Sequence, residues 1–80
     1  MNLSIHTIQK TLFEGEADKV IASTPLGQMT VLDDHLPLIS RINGPFVTIA
    51  EHNGKQSEIP LAGGFLEVRP GSSVVILTEV

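Results

Sequence analysis

An all-β fold, a flattened β-sandwich or barrel of about nine to ten short strands with no long helix, is what this sequence predicts. Two observations carry the expectation. Apolar and polar residues alternate in short runs, and no longer segment shows the i, i+3, i+4, i+7 apolar spacing of a helix. Turn-forming Gly, Pro, Asn and Asp interrupt those runs at roughly 8–10 residue intervals, the rhythm of short antiparallel strands.

Leu3, Ile5 and Thr7 alternate with Ser4 and His6, a period of two that marks a half-buried first strand. Thr11-Leu12-Phe13-Glu14-Gly15-Glu16 reads as the second, with Gly15 a candidate bulge. After Ala17-Asp18, the β-branched run Lys19-Val20-Ile21-Ala22-Ser23-Thr24 is the third. Pro25-Leu26-Gly27 is a turn, because Pro presets its own φ and Gly accepts a positive one. Gln28 to Leu32 forms a short fourth strand. Asp33-Asp34-His35 then enters Leu36-Pro37, where the residue before proline is pushed away from helix. Leu38 to Ile42 is a fifth strand, closed by Asn43-Gly44-Pro45. Phe46 to Glu51 is a sixth, with Val47 and Ile49 on one face and Phe46, Thr48 and Ala50 on the other.

His52-Asn53-Gly54-Lys55 makes a hairpin turn into Ser57-Glu58-Ile59-Pro60-Leu61, whose proline marks an edge or a strand end. Ala62-Gly63-Gly64 breaks the pattern before Phe65 to Arg69. Pro70-Gly71 turns into the last strand, Ser73 to Thr78. Val20, Ile39, Ile49, Val68 and Ile76 are the candidate core positions, as β-branched residues in alternating runs.

Eighty residues make one domain, expected to bury about 60–65% of its unfolded surface. A hydrophobic content of 41% supports a globular core and excludes a disordered chain. The only aromatics are Phe13, Phe46 and Phe65, and the net charge is −4. Binding to a nucleic-acid backbone needs clustered Lys and Arg, and base stacking needs aromatic platforms, so nucleic acid is excluded as a partner. The absence of cysteine removes disulfides, thiolate chemistry and Cys-based zinc sites. No apolar run approaches the ~18–20 residues of a membrane-spanning helix, and the start lacks the basic-then-apolar layout of a signal peptide. Membrane contact is therefore expected only through a partner.

The nearest approach to a catalytic or metal cluster is Asp33-Asp34-His35. Three adjacent residues in extended backbone cannot converge on one ion, since alternate side chains point to opposite faces. A solvated loop or a partner contact is the expected role, with no metal, no cofactor and no catalytic residue. No serine sits in a G-x-S-x-G elbow. Gly63-Gly64 lacks the G-x-x-x-x-G-K-[ST] context of a phosphate loop, and reads instead as a strand entering a crowded place. Lys55 at a hairpin tip invites comparison with biotinyl and lipoyl carrier domains, which are also small, acidic and all-β. Its flanks, Gly54 and Gln56, do not match the Met or Asp usual beside a carrier lysine, so a carrier domain is the alternative reading.

Three separated patterns remain. They are Leu12-Phe13-Glu14-Gly15-Glu16, then Gly27-x-x-x-Val31-Leu32-x-x-His35-x-Pro37-Leu38, then Gly63-Gly64-Phe65-Leu66-Glu67-Val68 followed by Val74-x-Ile76-Leu77. In this order and spacing, over about residues 3–79, the chain resembles the N-terminal β-sandwich domain of the ε subunit of F-type ATP synthase. The resemblance implies a compact, non-catalytic ten-stranded sandwich in the central stalk. Such a domain binds the γ subunit, rests on the polar loops of the membrane c-ring, and helps couple proton or sodium flow to ATP synthesis. It implies a peripheral location on the cytoplasmic face of the energy-transducing membrane.

The positions matching the family's c-ring side are Gln28, Met29, Asp34 and His35. The family carries Glu at the place of Gln28, Gly at that of Thr30, and often Pro-Gly where this chain has Asp33-Asp34. The neutral Gln28 leaves Asp33 and Asp34 to supply the acidic contact. Leu26, Met29, Leu36 and Phe46 are candidate contributors to an apolar γ-binding patch. Most relatives of that family continue into a two-helix hairpin, which has no residues in this sequence, so the expected organisation is a single domain over 1–80 without it.

Overall fold

A computed structural model of the chain describes residues 1–79, and among them every regular element is a strand. The eight strands are β1 (Asn2–His6), β2 (Thr11–Glu16), β3 (Lys19–Thr24), β4 (Gly27–Leu32), β5 (Leu38–Ala50), β6 (Gln56–Pro60), β7 (Gly63–Arg69) and β8 (Ser73–Glu79). The all-β expectation holds. The count is eight rather than nine to ten because the fifth and sixth predicted strands are one continuous element.

That element, β5, organises the fold. Its first half, Leu38 to Asn43, pairs antiparallel with β7. Its second half, Phe46 to Ala50, pairs with β6, while Ala50 to Thr48 also pair with Lys19 to Ile21 of β3. One layer therefore runs β2-β1-β8-β7-β5 and the other β6-β5-β3-β4, with β5 shared between them. Asn43-Gly44-Pro45, expected to be a turn, is the corner where β5 passes from one layer to the other. A Cβ on Gly44 would run into the carbonyl oxygen of Leu61, so only glycine lets the two backbones approach so closely there. Backbone bonds hold the corner, from Leu61 N to Pro45 O (3.0 Å) and from Gly44 N to Ala62 O (3.2 Å).

The two layers close over one core. Leu3, Ile5, Leu66, Val68, Val74, Ile76 and Ile42 enter from the first layer, and Val20, Ala22, Val31, Val47 and Ile49 from the second. The inward face of the second half of β5 is Val47 and Ile49, as the alternation predicts. Ile39 is the exception among the candidate core residues, being 71% exposed. The register of the first half of β5 is set by Ile42, which points inward. Leu38 and Ser40 therefore share its face, while Ile39 and Arg41 take the outer one.

The expected bulge at Gly15 is also displaced. Gly15 sits in regular register opposite Leu3, and the irregularity lies where Ile5 faces Phe13 and His6 faces Thr11, leaving Leu12 as the extra residue. Pro60 ends β6, which pairs only with β5, so the proline's missing N–H faces no neighbouring strand. β1 and β8 pair in parallel at the centre of their layer, with Asn2 opposite Ser73 and His6 opposite Leu77. The first and last strands thus lie side by side and run in the same direction, which sets Asn2 against Ser72 and Ser73.

Candidate functional site

The polar stretch singled out in the sequence is built around β4, an edge strand hydrogen-bonded only to β3. The turn entering it is closed by Thr24, whose Oγ1 donates to Gly27 O (2.7 Å) and accepts from Leu26 N (3.1 Å). Leu26 stands fully exposed at the tip. Along β4 the side chains alternate. Val31 is buried, Met29 is half-buried and packs on the core, while Gln28, Thr30 and Leu32 face outward.

At the far end of β4 the chain turns through Asp33 and Asp34. Asp34 takes a left-handed backbone conformation (φ 64°), which aspartate tolerates better than most residues, and His35 N bonds back to Leu32 O at 3.3 Å. Both carboxylates are engaged. Asp33 Oδ1 accepts from the Met1 ammonium at 2.5 Å, and that ammonium also donates to Ala17 O at 2.8 Å. Asp34 Oδ1 accepts from Ser72 Oγ at 3.3 Å, tying the turn to the β7–β8 hairpin. The half-buried His35 places Nδ1 2.9 Å from Leu36 O; a carbonyl only accepts, so Nδ1 carries the proton.

The structure therefore brings Asp33, Asp34 and His35 into one turn. Gln28 lies at the opposite end of β4, roughly 16 Å away along the strand at its usual rise per residue. The five positions form a ridge along an edge strand rather than a cluster. Leu36 is exposed beside this turn, and Phe46 is partly exposed at the β5 corner.

The three imidazoles have separate partners: His6 with Thr11 Oγ1 (3.1 Å), His35 with Leu36 O, and His52 with Asp18 Oδ1 (3.3 Å). Among the described residues no group of three or more His, Asp or Glu side chains is placed to hold a metal ion. Lys55 is exposed at the β5–β6 tip, where its backbone closes the hairpin through Asn53 Oδ1 (2.9 Å) and Glu51 N (2.8 Å). Gly63-Gly64 marks a crowded crossing, not a phosphate cradle: a Cβ on Gly64 would stand 2.8 Å from Thr78 Cα. The polar turn and the apolar side chains of Leu26, Leu32 and Leu36 lie on the exposed surface. One part of that surface escaped the sequence reading, the exposed apolar side chains on the outer face of β7 and β8, because in alternating strands Phe65 and Leu77 carry no mark separating them from core.

Comparison with known proteins agrees with this picture. The family of the ATP synthase delta/epsilon chain β-sandwich domain matches residues 1–80. The ATP synthase epsilon chain of Xanthomonas euvesicatoria pv. vesicatoria is 38% identical over 75 residues, covering 94% of this chain and 53% of that one. The epsilon chain of an Exiguobacterium species is 32% identical over 79 residues, covering 99% and 57%. This chain thus spans about half the length of the curated relatives it matches. Among solved structures, a chain of the Euglena gracilis mitochondrial ATP synthase OSCP/F1/c-ring assembly superposes with a TM-score of 0.89 at 22% identity, over 98% of this chain and 49% of that one. A chain of the Tetrahymena thermophila mitochondrial ATP synthase central stalk and c-ring gives 0.81 at 12% identity, over 99% and 63%. At these identities the superpositions speak to the fold, and the sequence match to the family. With a two-layer sandwich, the three motifs in register and a family match over its whole length, the chain belongs to the β-sandwich domain family of ATP synthase delta and epsilon chains.

Proposed function

We propose that this chain is a non-catalytic element of the central stalk of an F-type ATP synthase, seated between the γ subunit and the c-ring. There it helps couple proton or sodium transport to ATP synthesis and hydrolysis by rotation. The observation that carries this reading is the family match over the entire chain. A sandwich suits a torque-bearing part, because ladders cross-link its strands and its core packs at near-crystal density. Its place is the cytoplasmic face of the energy-transducing membrane, with membrane contact made through the complex.

On the c-ring side we assign the β4 ridge, with Gln28 and Met29 at one end and Asp33, Asp34 and His35 at the other. The two aspartates face basic ring loops, and each exposed ion pair contributes only about 0–1 kcal/mol, so they orient the domain more than they hold it. Affinity isolation from membranes tests the reading. The tag belongs at the C-terminus, since one at the N-terminus would displace the Met1 ammonium from Asp33. Recovery of γ and c with the tagged chain is expected; recovery of a carboxylase or dehydrogenase component instead would transfer the assignment to a carrier domain modified on Lys55. Replacing Asp33 and Asp34 together by Asn should weaken c-ring association and flatten its salt dependence. Unchanged association would remove the aspartates from the contact.

A further inference from the structure

Two asparagines of the chain are followed by glycine, Asn43-Gly44 and Asn53-Gly54. That pairing carries chemistry of its own. The glycine nitrogen, once it gives its proton to a base, attacks Cγ of the asparagine side chain, and glycine has no Cβ to obstruct the approach. The new N–Cγ bond closes a succinimide ring, and the side-chain nitrogen takes up a proton and leaves as ammonia. Water then opens the ring. Addition at Cγ breaks the new bond and gives aspartate. Addition at the main-chain carbonyl breaks the original peptide bond and gives isoaspartate, whose backbone runs through Cγ. For the ring to close, the peptide after asparagine has to turn toward the side chain, and its N–H has to be released from other bonds.

Exposure does not separate the two sites, since both asparagines are exposed. The backbone does. Asn43 lies inside β5, paired on one side with Ser23 of β3 and on the other with Gly63 of β7. Gly44 N donates to Ala62 O at 3.2 Å, and the Leu61 carbonyl oxygen presses on the Gly44 α-carbon. Turning this peptide toward its side chain would break ladders on both sides, in a place with no room to move. Asn53-Gly54 stands instead at the β5–β6 tip, where a Cβ on Gly54 would meet nothing within 4 Å. The tip is held by bonds within the turn itself, Gly54 N to Glu51 O (3.0 Å), Glu51 N to Lys55 O (2.8 Å) and Lys55 N to Asn53 Oδ1 (2.9 Å). Solvent-exposed turn bonds open at little cost in free energy, so the Gly54 N–H is released readily. The last of the three bonds favours the reaction. Lys55 N–H already donates to the oxygen that gains negative charge when Cγ is attacked, and a donor in place beforehand stabilises that charge. It also folds the Asn53 side chain over the intervening Gly54 peptide.

We infer that Asn53 is a self-modification site, converted by water through a succinimide to aspartate and isoaspartate, whereas the fold protects Asn43 beside the same neighbour. Each conversion adds one negative charge to a chain of net charge −4. The two products differ in their effect on the hairpin. Aspartate keeps a side-chain oxygen within reach of Lys55 N. Isoaspartate lengthens the main chain at the tip and loses that bond, and because β6 pairs only with β5, the loosening falls on β6. An isoaspartyl carboxylate at an exposed tip is also open to methyl transfer from S-adenosylmethionine by an isoaspartyl methyltransferase. The inference stands apart from the stalk reading and depends only on the hairpin and the corner.

Timed incubation of the purified chain tests the inference, at neutral and mildly alkaline pH and below its melting temperature, with a parallel sample unfolded in urea. Peptide mass spectrometry reads the exchange of amide for acid at each asparagine. Methyl transfer from labelled S-adenosylmethionine by an isoaspartyl methyltransferase counts the isoaspartate. In the folded chain Asn53 should convert at least about tenfold faster than Asn43, because the two peptides lie at opposite ends of the range of local opening free energies. In urea the two rates should approach each other, since the fold is what separates them. Conversion at Asn53 should speed up with pH, because the attacking nitrogen must lose its proton, and in heavy-oxygen water the new acid should carry the label. Asn53→Gln, whose longer side chain has to close a larger ring, should fold as wild type and stay unmethylated. An Asn53 that keeps its amide in the folded chain while converting in urea would overturn the inference, the turn bonds then being protective. Equal conversion of Asn43 and Asn53 in the folded chain would overturn it as well, by removing the role given to the corner.

Discussion

Gly64 of β7 lies so tightly against Leu77 of β8 that the Leu77 carbonyl oxygen occupies the space a Cβ would need, with Thr78 Cα only 2.8 Å from the same point. Both obstacles are backbone in a paired strand, so neither can swing away. Gly64→Ala should therefore destabilise the domain by about 2–3 kcal/mol, near the upper end for overpacking. Gly15→Ala is the control, since the nearest atom to its Cβ would be a Phe13 ring carbon at 3.7 Å, an ordinary contact. Urea unfolding of the two variants should give a large drop in midpoint for the first and a small shift for the second.

The ammonium of Met1 is buried against Asp33 and Ala17, and its charge is answered at 2.5 Å by a carboxylate itself about half exposed. Asp33→Asn removes that answer while keeping the shape. A loss of about 1 kcal/mol is expected, above an exposed pair because one partner is buried, with a fall in melting temperature of about 4–8 °C. Asp34→Asn, whose contact with Ser72 is exposed and long, should shift melting by less than half of that. Equal effects would mean that the Met1 contact contributes nothing particular.

Ile49 and Ile39 are both isoleucines in β5, yet one is fully buried and the other largely exposed. Ile49→Ala should cost about 2–5 kcal/mol through lost burial and the cavity left behind, a large part of the stability of so small a domain. Ile39→Ala should stay within about 0.5 kcal/mol, the range of ordinary surface changes. Equilibrium denaturation of the pair tests the register of the first half of β5.

Thr78 is the one buried polar side chain among the described residues, and its hydroxyl donates to Gly63 O at 2.7 Å across the β7–β8 pair. Thr78→Val keeps the volume and deletes the donor. It should cost about 1 kcal/mol, the usual net value of such a bond, increased by the carbonyl left short of a partner. Thr78→Ser, which retains the hydroxyl, should recover part of the loss in the same melting assay.

Much of the architecture is legible in the residues because a strand's period of two is a local signal. Val20, Val47, Ile49 and Ile76 declare their inward face through their alternating neighbours, and all are buried. The turns at Pro25-Leu26-Gly27 and at His52 to Lys55 also follow from local backbone preference. Asn43-Gly44-Pro45 misleads for the same reason, since three turn-formers in a row look alike whether the chain reverses or only bends. Which happens depends on Leu61 and Ala62, residues distant in sequence that bond to the corner. The candidate site divides similarly. The Asp33-Asp34-His35 turn follows from Pro37 and the end of β4, but the engagement of Asp33 by Met1 depends on a parallel β1–β8 pairing that brings the first residue to that turn.

The residues alone determined the class of fold, the edge position of β6 through Pro60, the need for glycine at Gly64, and the family through motifs spread over the chain. Tertiary structure decided that β5 serves both layers, that Ile39 faces water, and that Asn43-Gly44 is locked in a corner while Asn53-Gly54 stands open at a tip. The physical reason is the range of each interaction. Backbone preference and alternation act over a few neighbours, whereas strand order and register are set when distant segments compete to bury the same core.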